Sequence, residues 1–485
     1  MLLSAPDQAM TARDTDNRRE LLSLATARVR DAPLQDAFYV DGAMDLVSVC
    51  RQLAARGHDH CLVRDGERVG IFTANDLRDA LLRNPAPAAI ALSQAAHFEL
   101  VRVSPDADIF EALRLMMRHR LHRLVVEDGE RIVGVLDQLD LMGFVANHSH
   151  VIALQIDAAG DVPQLREAAT RIDNMLALMH DSGIKIERIA RTVCDLNARL
   201  FARLWSLLAP PELVANSCLL VMGSEGRGEQ VLKTDQDNAL LLRDGFDWPA
   251  LQLVADRFNA ALQTLGYPPC PGRIMLSNPL WRQALIPFKD TLREWVYGAD
   301  PEAPMRLAIF IDSHAVAGDA ALLTEARDHL DRILAGSDAF YARFASAVDL
   351  FDHRPAFWKR WMSTHPEEAP VDLKKLGIFP IVHGVRALAL QHGLRVTGTE
   401  ARLGVLTEAS HIEAMLARDL IDALHALMAL KLTHQLRQKQ AGQDVDNTVK
   451  PSDLGVLERD VLRDAIGIVR RFRAMLHRHF KLDAL

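Results

Sequence analysis

Two stretches of this chain are near copies of one another, and an internal repeat constrains a fold more tightly than any single motif. Val63 to Leu77 reads VRDGERVGIFTANDL, and Val126 to Leu141 reads VEDGERIVGVLDQLDL. In each copy an Asp-Gly pair, Asp65-Gly66 or Asp128-Gly129, divides two apolar runs. That is the signal for a tight hairpin. Ahead of each lies helical spacing: Leu46, Val49, Cys50 and Leu53 in the first, Ile109, Leu113 and Met116 in the second. Each copy therefore predicts helix, strand, turn, strand, then a helix opened by an acidic residue.

The repeat resembles a tandem pair of CBS domains, placed over residues 33–150 after an N-terminal tail of residues 1–32 in which Leu21, Leu22, Leu24 and Ala25 suggest a short helix. The resemblance implies an α/β module whose copies dock on each other, which pairs as a homodimer and binds adenine nucleotide between the repeats. In such pairs a Ser or Thr and an Asp three residues on grip ribose and phosphates. Thr73 and Asp76 match that pattern, and Asp137 and Asp140 hold the corresponding places in the second copy. Asp137 would repel phosphate, which leaves Asp140 as the ligand candidate there. For Thr73 and Asp76 the alternative is a helix cap alone. Arg118, His119, Arg120, His122 and Arg123 either face phosphates or form a solvated helix end.

A second stretch, Asn216 to Leu242, reads NSCLLVMGSEGRGEQVLKTDQDNALLL. Cys218 to Met222 has the length and composition of a buried strand. Gly223-Ser224 follows it, where a small backbone lets a phosphate approach and a helix start offers free N–H groups. About ten residues on, Asp235-Gln236-Asp237 leads into a second apolar strand, Ala239 to Leu242. Residues two apart in extended chain point to one side, so both carboxylates address one cavity. Two hard oxygen ligands beside a phosphate cradle suit a Mg²⁺-nucleotide.

This pairing of motifs resembles the signature of the nucleotidyltransferase superfamily, with its polymerase-β-like fold. The fuller text GSEGRGEQVLKTDQDNALL is similar to the catalytic domain of protein-PII uridylyltransferases and their relatives in CBS-domain signalling proteins. The resemblance implies Mg²⁺- or Mn²⁺-dependent transfer of a nucleoside monophosphate from an NTP to an acceptor, a protein hydroxyl such as that of a PII-like protein. On it, Asp235 and Asp237 hold the metal while Gly223 and Ser224 hold the phosphates. Arg227 offsets developing charge. Lys233 is grouped with these as a nucleotide contact, or else supports the loop with Glu229. Leu307 to Ile311 reads as a third strand ending in Asp312. Such an acid needs a partner when buried, and Asp312 is the candidate third catalytic carboxylate and metal ligand, or a strand-end cap. Relatives often read Asp-Phe-Arg there, where this chain has Asp312-Ser313-His314.

The expected architecture is α+β and multidomain: the CBS pair, a helical connector over 151–211, the nucleotidyltransferase domain over 212–325 and an all-α helical domain over 326–485. In the last, Asp372 to Ala387 reads DLKKLGIFPIVHGVRA, similar to the helical region that follows the uridylyltransferase centre. Lys374, Lys375 and Arg386 there contact nucleotide or acceptor, or are solvated helix charges. No metal-dependent HD hydrolase pattern or ACT domain accompanies these motifs, so removal of the modification is not expected. Among 485 residues no apolar run approaches a membrane span. No secretory signal opens the chain, and a cytoplasmic protein is expected. The net charge of −8 argues against a nucleic-acid backbone as the main partner. Five scattered cysteines without CxxC spacing predict reduced thiols, neither a disulfide framework nor a zinc site. The competing reading is a sensor that binds nucleotide but has lost turnover. A transferase acting on a small molecule or RNA would use the same centre.

Overall fold

The computed structural model of the chain describes residues 27–83, 86–146, 148–181, 183–351 and 370–484. The short helix expected near Leu21 lies outside them. The chain forms two compact units, one ending at Val151 and one beginning at Ile152.

In the first unit the duplication becomes two copies of one motif. Strands β1 (Tyr39–Asp41), β2 (His60–Asp65) and β3 (Arg68–Thr73) form one sheet, with helix α1 (Leu46–Arg56) between β1 and β2 and α2 (Ala74–Arg83) after β3. The second copy repeats this with β4 (Arg102–Val103), α3 (Ile109–His119), β5 (Arg123–Asp128), β6 (Arg131–Asp137) and α4 (Gln138–Ala146). In both, the first pairing is parallel and the hairpin antiparallel. Gly66 and Gly129 both take φ +61°, the left-handed turn geometry that the Asp-Gly pairs announced. Leu62, Val125 and Val135 are buried together and join the two copies. Ala27, Val29 and Ala32 are buried in the second copy's core, so the module begins before residue 33.

The second unit is built on a mixed four-stranded sheet in the order β10-β7-β8-β9. Its strands are β7 (Ser217–Val221), β8 (Asn238–Leu242), β9 (Arg282–Ala284) and β10 (His314–Gly318). β7 and β8 are wholly buried, as their unbroken apolar runs require. Helices α5 (Val162–Asp181), α6 (Ile186–Leu208) and α8 (Leu251–Thr264) pack on the sheet, with Trp205 edge-on to Phe258. The four-residue turn α7 (Gly223–Gly226) follows β7.

One element differs from expectation. Leu307 to Ile311 belongs to helix α10 (Ala303–Ile311), which follows α9 (Leu285–Tyr297), and the strand comes afterwards as β10. A short apolar run does not separate strand from helix. Its buried positions, Ala303, Leu307, Ala308 and Phe310, keep helical spacing, and Pro304 suits the first helical turn.

Beyond α11 (Ala321–Leu334) the described residues form helices joined by turns, apart from a two-residue strand pairing of Val371–Asp372 with Thr448–Val449. Helices α12 (Asp338–Ala345), α13 (Phe379–Gln391), α14 (Thr399–Glu408), α15 (Ala414–Gln440) and α16 (Val456–Phe480) share one continuous core with the sheet. A π-helical turn, Leu373–Ile378, runs into α13. Such turns recur at functional sites.

Candidate active site

Strand alternation sorts the residues around the Asp-x-Asp pair. Gln236 and Asn238 turn inward, where Asn259 donates to Gln236 at 2.6 Å and to Asn238 at 3.1 Å. Asp235 and Asp237 therefore emerge on the other side. One ligand atom from each of Asp235, Asp237 and Cys270 lies within 4.8 Å of the other two. It is the one grouping of three or more His, Cys, Asp or Glu side chains with metal-ligand spacing among the described residues.

The Gly-Ser turn meets this pair directly. Gly223 has φ +59°, and a Cβ there would sit 2.5 Å from Asp237 Oδ2. Only glycine permits both the left-handed backbone and the approach. Gly223→Ala should keep the fold while displacing the Asp237 carboxylate. Mn²⁺ affinity is expected to fall about tenfold or more, a loss of roughly 1.4 kcal/mol; titration by electron paramagnetic resonance beside a circular-dichroism spectrum checks it, and unchanged affinity would contradict the packing.

Beneath the turn, Glu225 accepts from Asn197 Nδ2 at 2.6 Å, and Tyr267 donates to Asn197 Oδ1 at 2.5 Å. Burial pushes Glu225 up to about 7 in spite of the Asn197 hydrogen bond. This network ties the turn to α6. Ser224 is already engaged, its hydroxyl donating to Gln230 Oε1.

Electrostatics favour a cation between the acids. Burial, and then the Asp235 charge, push Asp237 up to about 6, while a hydrogen bond from the Cys270 thiol pulls the other way. Asp237 Oδ1 is buried without a hydrogen-bond partner. Two like charges with an orphaned oxygen are a donor set that fits a divalent ion. Opposite them stand two lysines of the helical segment, Lys374 on the π-helical turn and Lys431 on α15. Burial, then Lys374 and Arg227, lower Lys431 to about 8, and Asp235 pulls back. Lys431, which sequence reasoning missed, forms no ion pair with a described residue. Its place on a long helix with little periodic contrast gave no signal.

Several of the expected site residues have other partners. Asp312 is fully buried at the C-terminus of α10, where Arg227, Arg402 and Arg386 take both of its oxygens, at 2.7 Å, 2.8 Å and 2.5 Å respectively. Burial alone would raise its pKa, but Arg386, Arg402 and Arg227 outweigh that and hold it well below the ordinary carboxylate range. It is therefore the counter-ion of an arginine cluster and not a third ligand beside Asp235 and Asp237. Its backbone still abuts the turn, since a side chain at Gly226 would overlap the Asp312 carbonyl. Arg227 is held by Asp312 and by Glu229, at 2.6 Å, and Glu229 also accepts from the Thr399 amide. Lys233 donates to the Ala169 carbonyl at 2.6 Å and pairs with Asp173 at 3.1 Å. It fastens the loop to α5 and is not free for nucleotide. Arg386, placed among the solvated or ligand-contacting charges, is buried on Asp312, whereas Lys375 pairs with Asp372 at 3.7 Å.

In the first unit, Thr73 and Asp76 do cap α2, the Thr73 hydroxyl donating to Asp76 at 2.7 Å. They also line a cavity of about 210 Å³ with Asn75, His97, Arg120 and His122. The basic run that could have been a solvated helix end thus supplies cations facing the first copy's Thr-Asp pair. Asp140 instead accepts from Gln35 at 2.8 Å, and Asp137 pairs with Arg123 at 3.2 Å. Neither lines that cavity.

Comparison with known proteins divides the chain in the same way. Residues 29–83 and 95–147 each match the CBS domain model. Residues 170–302, which contain Gly223, Ser224, Asp235, Asp237 and Cys270, match the model described as "Putative nucleotidyltransferase DUF294". Residues 338–480, which contain Lys374 and Lys431, match the one described as "Putative nucleotidyltransferase substrate binding domain". Asp312 falls between the two matches. No curated protein matches the chain. Among solved structures, a "putative signal-transduction protein with CBS domains" from Burkholderia ambifaria MC40-6 is 24% identical over 24% of this chain and 90% of its own, with a TM-score of 0.23. A CBS-domain containing protein from Agrobacterium tumefaciens is 23% identical over 22% of this chain and 88% of its own, with a TM-score of 0.21. The CBS pair of protein MJ0100, solved with 5′-methylthioadenosine and S-adenosyl-L-methionine, is 18% identical over 24% and 94%, with a TM-score of 0.22. No described helix is long and apolar enough to cross a membrane. In order along the chain, then, the matches are to a pair of CBS domains, to the "Putative nucleotidyltransferase DUF294" model and to the "Putative nucleotidyltransferase substrate binding domain" model.

Proposed function

We propose that the second unit transfers a nucleoside monophosphate from an NTP to an acceptor hydroxyl, with Mg²⁺ or Mn²⁺ held by Asp235 and Asp237. The observation that carries this reading is the convergence of the two carboxylates beside Gly223, with Asp237 Oδ1 lacking a partner among the described residues and, opposite, Lys374 and Lys431, which form no ion pair with a described residue. When bound, the divalent ion supplies charge neutralisation at the phosphates and activation of the attacking oxygen. The chain's own groups do the rest. The first-turn N–H groups at Gly223 and Ser224 have no intrahelical acceptor and suit phosphate oxygens. Lys374 and Lys431 add positive charge where negative charge gathers. The arginine cluster on Asp312 fixes Arg227 and the turn from behind.

A protein acceptor, UTP as donor and a PII-like partner are the form of the reaction that the motif text favours. Adenine nucleotide in the cavity of Thr73, Asp76, Arg120 and His122 is the proposed regulatory ligand. Full-length protein incubated with labelled ATP or UTP, Mg²⁺ and a bacterial lysate tests the reaction. Label on a protein supports transfer to protein, and label on RNA or a small molecule redirects the acceptor. No label, alongside tight nucleotide binding, supports a second reading: a cytoplasmic nucleotide sensor without turnover. The occupied state of Ser224 and the absence of Asp312 from the acid pair favour that second reading.

The CBS pair is also the proposed homodimer contact. Leu82 (79% exposed) on α2, Met117 (70%) on α3 and Leu139 (79%) on α4 are apolar side chains left in solvent. A dimer contact across this module would take them out of water. Sedimentation should show a dimer for the full chain, reduced to monomer by Leu139→Glu with Met117→Glu. A monomeric wild type would contradict the proposal.

A further inference from the structure

Cys270 stands in the loop after α8, flanked by Pro268, Pro269 and Pro271, and is 5% exposed. Three prolines restrict that loop's backbone. The Gln236 amide donates to the Pro268 carbonyl at 3.0 Å, and the Arg273 amide to the Cys270 carbonyl at 2.9 Å. The loop is therefore pinned to the Asp-x-Asp segment, and the sulfur's place beside the acids is built in. Its Sγ and one oxygen each from Asp235 and Asp237 lie within 4.8 Å of one another, and Asp237 Oδ1 is an unpartnered buried atom in that cluster.

We propose that Cys270 makes this centre a capture site for thiophilic divalent cations, Zn²⁺ foremost, which displace the hard cation from Asp235 and Asp237. The inference rests on the reading of those two acids as metal ligands. Mg²⁺ takes oxygen ligands and water and leaves the thiol protonated. Zn²⁺ accepts sulfur and carboxylate together. Three protein ligands with an open fourth position form the tetrahedral set it prefers, at a spacing of about 2.0–2.3 Å from each. Its affinity for such a set exceeds that for oxygen alone. As the sulfur–metal bond forms, the thiol proton passes to solvent and the metal replaces the thiol hydrogen bond to Asp237. Occupancy by Zn²⁺ then stops transfer by excluding the ion the phosphates need.

Spectroscopy of the full-length protein tests this without relying on activity. Co²⁺ stands in for Zn²⁺ and reports a thiolate ligand by a sulfur-to-cobalt charge-transfer band in the near ultraviolet. Wild type should show that band, Zn²⁺ should erase it, and Cys270→Ser should lack it while still binding Mn²⁺. Zn²⁺ affinity in Cys270→Ser is expected to fall at least tenfold. Mn²⁺ binding by wild type with no thiolate band from Co²⁺ overturns the role of Cys270 and leaves the carboxylate centre intact. A band that survives in Cys270→Ser also overturns it, by assigning the sulfur to another cysteine. Failure of wild type to bind either Mn²⁺ or Co²⁺ overturns the metal reading itself. Should the variant not fold, the presence or absence of the thiolate band in wild type still separates these outcomes.

Discussion

Asp235→Ala combined with Asp237→Ala is expected to lower nucleotidyl transfer about 10³-fold or more, the kinetic equivalent of roughly 4 kcal/mol of lost electrostatic stabilisation. Stability should move the other way. The two carboxylates repel each other, and burial with that repulsion pushes Asp237 up to about 6. Removing both relieves a cost the fold carries for the site. Heat-unfolding of the double variant should therefore give a Tm equal to or above that of wild type, while label transfer vanishes. Lost transfer with a lowered Tm would point to damage to the fold, and undiminished transfer would remove the pair from the chemistry.

Asp312→Asn should have the largest effect on stability. The exchange barely changes volume, so no cavity term enters. What it removes is the counter-charge for Arg227, Arg386 and Arg402 in a site where Asp312 is wholly buried and Arg402 is 1% exposed. Breaking one side of a buried pair costs about 3–5 kcal/mol, because the remaining charge is left without compensation. The neighbouring His383 cannot replace it. Burial, and then Arg386, hold His383 down to about 3, and the neutral ring donates to the Phe344 carbonyl and accepts from Arg386. Urea unfolding followed by fluorescence should show a lower midpoint with an unchanged slope.

The same group sets an acid limb. Its folded pKa lies below its ordinary value of 3.8. The carboxylate's contribution is therefore complete above the ordinary value and is lost as pH falls through the folded one. Wild type should lose this increment only in strong acid, and Asp312→Asn should lack it at every pH. A variant within about 1 kcal/mol of wild type, with the same acid profile, would deny the cluster its structural role.

Much of the architecture is legible in the sequence because local rules and global fold agree there. Asp65-Gly66 and Asp128-Gly129 demand a left-handed turn residue wherever they occur, and the period-2 logic of Asp235-Gln236-Asp237 needs only a strand to act on. Tertiary contacts decide the residues that were not legible. Nothing within ten residues of Asp312 announces that its partners come from the residue after α7 and from α13 and α14, and helical spacing in Ala303–Ile311 was masked by an apolar run short enough to be a strand. Lys233 carries the same text whether it meets a phosphate or the Ala169 carbonyl. Cys270 lacks a CxxC neighbour because its companions stand more than thirty residues earlier, on the segment to which its loop is bridged. Spacing rules detect sites made by one segment, and this one is made by several.

The central claim is that Asp235 and Asp237 hold a metal-bound triphosphate at the Gly223 turn. A crystal structure of the full chain with Mn²⁺ and a non-hydrolysable NTP analogue tests it most directly, through the anomalous signal of the metal. The expected result is a peak beside the Asp235 and Asp237 carboxylates, with the triphosphate near the Gly223–Ser224 amides and the ammonium groups of Lys374 and Lys431. Mn²⁺ elsewhere, or a triphosphate bound only beside Thr73 and Asp76, would contradict it.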